Sequence, residues 1–243
     1  MSLRLAALLL ALAGSASAAC RDITWESIDL TACEVDATRT ELRLFLTDEA
    51  GHPFGQFGAI DKSLEQDGAN LGFAMNAGMF HADRRPVGHY VEDGKQIMRV
   101  VPNAGPGNFG MLPNGVLCLR EGRADVIETQ RFLAEAPSCQ HATQSGPMLV
   151  IDGALHPRFR ENSTSRFVRN GVGTSADGTR AVFAISNQPV NFHSFARFFR
   201  DFLGLPQALY FDGNVSRLHA PGLGRSDAGF SLGPIVGTVV TKP

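Results

Sequence analysis

The sequence predicts one mixed domain, α/β or α+β, built on a curved, hairpin-rich β-sheet with a few packed helices. Three observations predict it. Acidic-Gly pairs sit inside apolar runs at Asp93-Gly94, Glu121-Gly122, Asp152-Gly153 and Asp177-Gly178, and strand, Asp-Gly, strand is a strong short-range hairpin signal. The 26 Gly and 13 Pro supply the many turns such a sheet needs. One phenylalanine pattern at helical spacing lies between two strand-like runs near the C-terminal end. At 243 residues with 44% hydrophobic content, the chain can bury the core of a single domain.

Residues 1–19 read as a secretory signal outside that domain. Arg4 is the positive n-region, 5–13 is a short Leu/Ala-rich run, and Ser15-Ala16-Ser17-Ala18 supplies the small residues of a cleavage site after Ala18 or Ala19. The run is too short to span a bilayer, and no later stretch reads as transmembrane. The mature chain, 20–243, is expected in the periplasm or outside the cell. Lipid anchoring at Cys20 is the weaker alternative, because Ser17 stands where a large aliphatic residue is usual. Four cysteines in an oxidising compartment predict two disulfides. Three pairings are possible; proximity in sequence favours Cys20–Cys33 with Cys118–Cys139.

The elements follow in order. A strand is expected over 40–46, and another over 71–75, stopping at Asn76-Ala77-Gly78. The hairpins are expected over 87–98, 116–127, 147–155 and 167–185, and a short helix over 128–136. Phe195, Phe198, Phe199 and Phe202 fall at i, i+3, i+4 and i+7, one apolar helix face to pack on a sheet. Ser194 can cap its start, and Gly204 with Pro206 ends it. Strands over 181–185 and 208–211 flank this helix, a unit that is normally a right-handed parallel crossover.

Charge and motifs narrow the chemistry. A net charge of −2 without a basic block argues against nucleic acid as a partner. Seven histidines show no HxH or HExxH spacing, so no metal site is predicted. A divalent cation near Asp212 would help hold a phosphate, but nothing specifies its oxygen ligands. Neither a serine-hydrolase nucleophile elbow nor a penicillin-binding signature is expected, and neither a dinucleotide-binding unit nor a P-loop is expected, so no cofactor is predicted.

Four segments run from apolar strand into polar and Gly residues: Asn76-Ala77-Gly78-Met79-Phe80, Gln144-Ser145-Gly146-Pro147, Arg169-Asn170-Gly171-Val172-Gly173 and Asp212-Gly213-Asn214-Val215-Ser216. Glycine lets backbone N–H groups approach an anion, Arg offers a planar donor fork, and Asn and Gln match sugar hydroxyls. Asp212 stands at the end of a strand in the crossover unit, where open sheets commonly bind ligands. Each segment can also be only a turn.

In these segments, with Tyr210-Phe211 before Asp212, the chain resembles the phosphodiester glycosidase domain family, in the family's order and over about residues 70–240. It is most similar to a small secreted bacterial branch with the Asp-Gly-x-Val-Ser-Arg form of residues 212–217. The uncovering-enzyme branch carries a Gly- and Ser-rich run where Asn214 and Val215 stand here. The resemblance implies hydrolysis of the C1–O bond of a sugar-1-phosphodiester such as an N-acetylglucosamine-1-phosphodiester. A phosphate ester leaves as a weakly basic anion, so one carboxylate with good anion stabilisation suffices. Motif position then makes Asp212 the nucleophile, base or oxocarbenium stabiliser. Arg169, with backbone N–H groups near Gly171 and Gly213, would hold the phosphate. Asn76 and Gln144 would orient the sugar, with Gly78, Asn170, Asn214, Ser216 and Arg217 as further substrate-binding candidates. The alternative is a non-catalytic periplasmic module that binds glycan or cell-wall polymer in the same cleft.

Overall fold

The computed structural model describes residues 18–241; all but the last two residues of the expected signal segment lie outside the described residues. In chain order the strands are β1 (Ala19–Trp25), β2 (Ile28–Asp36), β3 (Leu42–Phe45), β4 (Ala69–Asn76), β5 (Tyr90–Glu92), β6 (Lys95–Met98), β7 (Gly115–Arg120), β8 (Arg123–Glu128), β9 (His141–Ser145), β10 (Met148–Ile151), β11 (Ala154–Leu155), β12 (Asn170–Thr174), β13 (Arg180–Ser186), β14 (Gln207–Asp212), β15 (Leu218–Ala220), β16 (Arg225–Ser226) and β17 (Ile235–Thr241). The α-helices are α1 (Phe57–Leu64), α2 (Thr129–Glu135) and α3 (Phe192–Arg197).

The strands form three sheets. The largest runs β1-β2-β13-β12-β14-β10-β11, the second β16-β15-β4-β17-β3, and the third β6-β5-β9-β7-β8. The expected hairpins all form, as β5–β6, β7–β8, β10–β11 and β12–β13. Two of their turns place both central residues at positive φ, Asp93 with Gly94 and Asp152 with Gly153. That backbone matches the twist of paired strands and tolerates Asp and Gly best.

One core joins the sheets, so the chain is a single domain. Phe183, Leu209 and Phe211 of the largest sheet meet Phe73, Met75 and Val236 of the second and Leu117 and Leu119 of the third. The other face of the largest sheet is covered by Phe195, Phe198 and Phe199, packed on Leu149, Ala184 and Ala208. α1 covers the second sheet through Phe57, Ile60 and Leu64. α2 covers the third through Phe132.

The phenylalanine helix forms with two corrections. Asn191, not Ser194, is its cap: the Asn191 side chain accepts from the Ser194 N–H at 2.9 Å, so the helix begins at Phe192. After Arg197 it widens into a π turn, Phe198–Phe202. The wider turn carries Phe202 off the expected face, leaving it 42% exposed and stacked on Phe198. The flanking strands β13 and β14 do run parallel, but β12 lies between them and is antiparallel to both.

Both expected disulfides are present, Cys20–Cys33 and Cys118–Cys139. Cys20 and Cys33 are direct partners across β1 and β2. Among the described residues no helix is long and apolar enough to cross a membrane.

Candidate active site

The four Gly-rich segments converge. Asn76 ends β4, Asn170 begins β12 and Asp212 ends β14, and Asn170 is the register partner of Asp212. The third sheet joins them at the end of β9. There the Thr143 hydroxyl donates to the Ala77 carbonyl at 2.7 Å and the Ser145 hydroxyl to the Phe211 carbonyl at 3.1 Å. Segments that served only as separate turns would not share one point.

A reciprocal amide pair clamps this point. Asn76 Nδ2 donates to Asn170 Oδ1 at 3.2 Å, and Asn170 Nδ2 donates back to Asn76 Oδ1 at 3.0 Å and to the Asn76 carbonyl at 2.8 Å. Both residues are fully buried. The pair also sets the chain after β14. Asn170 Oδ1 accepts from the Asp212 N–H at 3.2 Å, and Asn76 Oδ1 accepts from the Arg217 N–H at 2.9 Å. Ser216 closes the same turn, its hydroxyl donating to the Asp212 carbonyl at 2.9 Å and the Val168 carbonyl at 3.0 Å.

Asp212 therefore sits on a fixed backbone. Its Oδ1 accepts from the N–H groups of Gly213 at 2.6 Å and Asn214 at 2.8 Å. Burial raises its pKa above the ordinary aspartate value, and the backbone N–H groups of Asn214, Gly213 and Val215 oppose that rise. The carboxylate lines a cavity of about 580 Å³, within the roughly 300–1,000 Å³ of ordinary small-molecule sites. Met79, Phe80, Val87, Phe109 and Phe167 give it apolar lining, and Asn108, Tyr210 and Asn214 supply further polar groups.

Other expected site residues are engaged differently from their sequence assignment. Arg169 does not line the cavity. It is fully buried, with its guanidinium 3.6 Å above the Phe192 ring and bonded to the carbonyls of Val190 at 2.9 Å and Ser165 at 3.1 Å. Its Nη1 lacks a well-aligned hydrogen bond, although the Tyr210 hydroxyl lies beside the guanidinium. Burial lowers the Arg169 pKa, and Tyr210 opposes this. Among the described residues no carboxylate lies within ion-pair reach of Arg169.

Gln144 is saturated by protein groups. Its Oε1 accepts from the N–H groups of His89 and Val101, and its Nε2 donates to the Val101 carbonyl and the Thr129 hydroxyl. It holds the 87–101 wall rather than facing the cavity. Arg217 is likewise spent on Gln56 Oε1 and on the carbonyls of Asp227 and Phe230. The anion cradle expected near Gly171 and Gly213 is corrected. The Gly213 N–H is turned onto Asp212, and Gly171 lies within the β12 ladder, where a Cβ would meet the Leu209 carbonyl at 2.5 Å. Gly78, at φ +140°, turns the chain beside Thr143 into the Met79–Phe80 wall.

Asn108 and the Tyr210 hydroxyl are polar lining groups to which sequence reasoning gave no role. Tyr210 is buried, which pushes its phenol pKa well up; Arg169 opposes the shift, Asp212 adds to it, and Asn108 hydrogen-bonds the hydroxyl. Asn108 comes from Gly105-Pro106-Gly107-Asn108-Phe109-Gly110, a GxGxxG spacing. The spacing here is not a dinucleotide fingerprint, because the loop joins β6 to β7 and opens no helix. It was nevertheless the signal for this wall. Among the described residues, no group of three His, Cys, Asp or Glu is placed to hold a metal ion.

Comparison with known proteins places the chain. The sequence model of the phosphodiester glycosidase family matches residues 69–220, a span that holds all four segments. The uncharacterized protein YigE of Escherichia coli (strain K12) is 31% identical over 196 residues, covering 81% of this chain and 76% of its own length. The fold is similar to the zebrafish N-acetylglucosamine-1-phosphodiester α-N-acetylglucosaminidase catalytic domain, in a form auto-inhibited by its pro-peptide. That match has a TM-score of 0.61 at 15% identity and covers 91% of this chain and 81% of the zebrafish one. A hypothetical protein from Synechocystis has a TM-score of 0.60 at 12% identity, covering 91% of this chain and 61% of its own. From the family match and the Escherichia coli relative, the chain belongs to the phosphodiester glycosidase family.

Proposed function

We propose that this protein is a periplasmic or secreted hydrolase that cleaves the glycosidic C1–O bond of a sugar-1-phosphodiester resembling an N-acetylglucosamine-1-phosphodiester. The observation that carries the reading is Asp212, a carboxylate held by two backbone N–H groups at the wall of a sugar-sized cavity. The disulfides fit an oxidising compartment. As the C1–O bond breaks, its electron pair stays with the phosphate oxygen and positive charge grows at C1. Asp212 faces that charge, as nucleophile or as the fixed anion that steadies it; water then bonds to C1 through its oxygen, displacing Asp212 where a covalent bond had formed, and its proton goes to solvent. The neutral Tyr210 hydroxyl donates to the departing phosphate, with the Arg169 charge behind it. Asn76 and Asn170 act as positioning residues, holding Asp212 from behind.

The test is sugar release from an N-acetylglucosamine-1-phosphodiester by the wild type and by Asp212→Asn. Asparagine can still accept from both N–H groups, so the comparison isolates the charge. Release should fall by about 10³-fold in the variant. Equal release by both proteins removes Asp212 from the chemistry. Saturable binding without turnover, across a panel of glycosyl phosphodiesters, assigns the cavity to a glycan-binding module instead.

A further inference from the structure

A second cleft, of about 390 Å³, opens beside the Asp212 cavity. Asn108 lines both, so the two clefts adjoin at that residue. Arg158 and Arg160 line the second cleft together with Ser163, Thr164 and Ser165. The segment 156–169 carries four Arg and one Glu, a local balance of +3 in a chain whose net charge is −2. Arg158, Arg160 and Arg166 are exposed, and among the described residues none is within ion-pair reach of a carboxylate. Many arginines elsewhere are paired, such as Arg131 on Asp152 and Arg180 on Glu34.

We infer that this cleft binds the leaving-group side of the substrate, and that the leaving group is itself a polyanion: further phosphodiesters spaced by hydroxyl-bearing units. The inference rests on the proposed hydrolysis at Asp212. Unpaired guanidinium forks match phosphate oxygens, and the adjacent hydroxyls match a polyol or sugar between phosphates. The cleft does not suit nucleobases. Its aromatic rings are spent on one another, His156 on Phe159 at 4.7 Å and Phe159 on Phe192 at 4.9 Å, while Phe192 also carries Arg169. Base recognition on single strands needs free ring faces.

The experiment compares two esters and one polymer. The compact ester is N-acetylglucosamine-1-phosphate methyl ester. The extended ester carries an oligo(glycerol phosphate) leaving group, and the polymer is fluorescently labelled poly(glycerol phosphate). The wild type should prefer the extended ester. In Arg158→Glu/Arg160→Glu the ratio of the two kcat/KM values should fall about tenfold, and polymer binding should weaken by a similar factor and lose part of its salt dependence. Arg158→Gln/Arg160→Gln should give a smaller loss in the same direction, and circular dichroism confirms folding of both. A wild type that cleaves the compact ester without preferring the extended one overturns the cleft assignment and leaves Asp212 hydrolysis standing. A wild type that cleaves neither ester, while polymer binding still depends on the two arginines, sinks the hydrolysis and keeps the cleft. Equal binding of an oligodeoxythymidine of matched charge overturns the polyol-phosphate assignment in favour of unselective polyanion binding.

Discussion

Asn170→Ala is expected to destabilise the protein by about 4 kcal/mol. Alanine deletes both polar atoms of a fully buried amide. Asn76 Nδ2 and the Asp212 N–H each lose the Asn170 oxygen that accepts from them. A buried donor without a partner costs about 1–3 kcal/mol, so two cost roughly 2–6. In a domain of this size that lowers the melting temperature by about 8–16 °C. The other lost bonds add little: Asn76 Oδ1 keeps the Arg217 N–H, and Ser216 keeps two carbonyl acceptors. Urea unfolding of Asn170→Ala, Asn76→Ala and the double variant measures the cost and the coupling. The double variant should cost clearly less than the sum, since either substitution breaks the same pair. A single-variant cost below about 1 kcal/mol, or strict additivity, would refute the clamp.

Three further outcomes follow from the same geometry. Asp212→Asn should raise the melting temperature at neutral pH while activity is lost. The folded-state pKa of Asp212 is raised, so its ionisation opposes folding above that pKa, and the gain should vanish in acid, where the proton is bound anyway. Tyr210→Phe should leave stability within about 1 kcal/mol of wild type. It should also lower kcat by about 10²-fold, because a donor to the departing phosphate is removed from a preorganised site; unchanged kcat would take Tyr210 out of the reaction. Glu92 accepts from the Tyr90 hydroxyl at 3.0 Å, and burial lifts its pKa to about 7. Stability should therefore fall between its unfolded value of 4.5 and about pH 7. Glu92→Gln should flatten that slope and stabilise by on the order of 2 kcal/mol at pH 8 once residual solvent screening is allowed for. A pH–stability curve unchanged by Glu92→Gln would remove the group from the balance.

The sequence was most informative where local chemistry decides structure. Turns at Asp93-Gly94 and Asp152-Gly153 need positive φ at both positions, and few residue pairs tolerate that. Cysteine pairing by proximity held because each pair joins adjacent segments of one sheet region. The segments of the site were visible as strand ends, yet the work of their side chains was not. Gln144 and Arg217 look like ligand-binding residues in sequence, but only tertiary neighbours reveal that their polar atoms are consumed. α1 was missed: Phe57-Gly58-Ala59-Ile60 offers a weak apolar stripe, no acidic first turn and no side-chain cap, so packing on Leu71 and Ile235 decides it. β2 and β17 were missed because burial on the shared core, rather than strict alternation, holds them in place, and β1 because it is held by its pairing with β2 and the Cys20–Cys33 bond.

The amide clamp has a kinetic consequence. Asn76 and Asn170 are 94 residues apart, and they belong to different sheets. Contacts that close long loops form slowly, since the chain must lose the entropy of the loop before the contact rewards it. The hairpins can fold locally, but the turn that aims Asp212 has no fixed partner until the sheets dock. Maturation of the site is thus a late event in the history of each molecule. In refolding, backbone signals should recover before activity does, and the interval between them is the lifetime of a structured but unarmed enzyme.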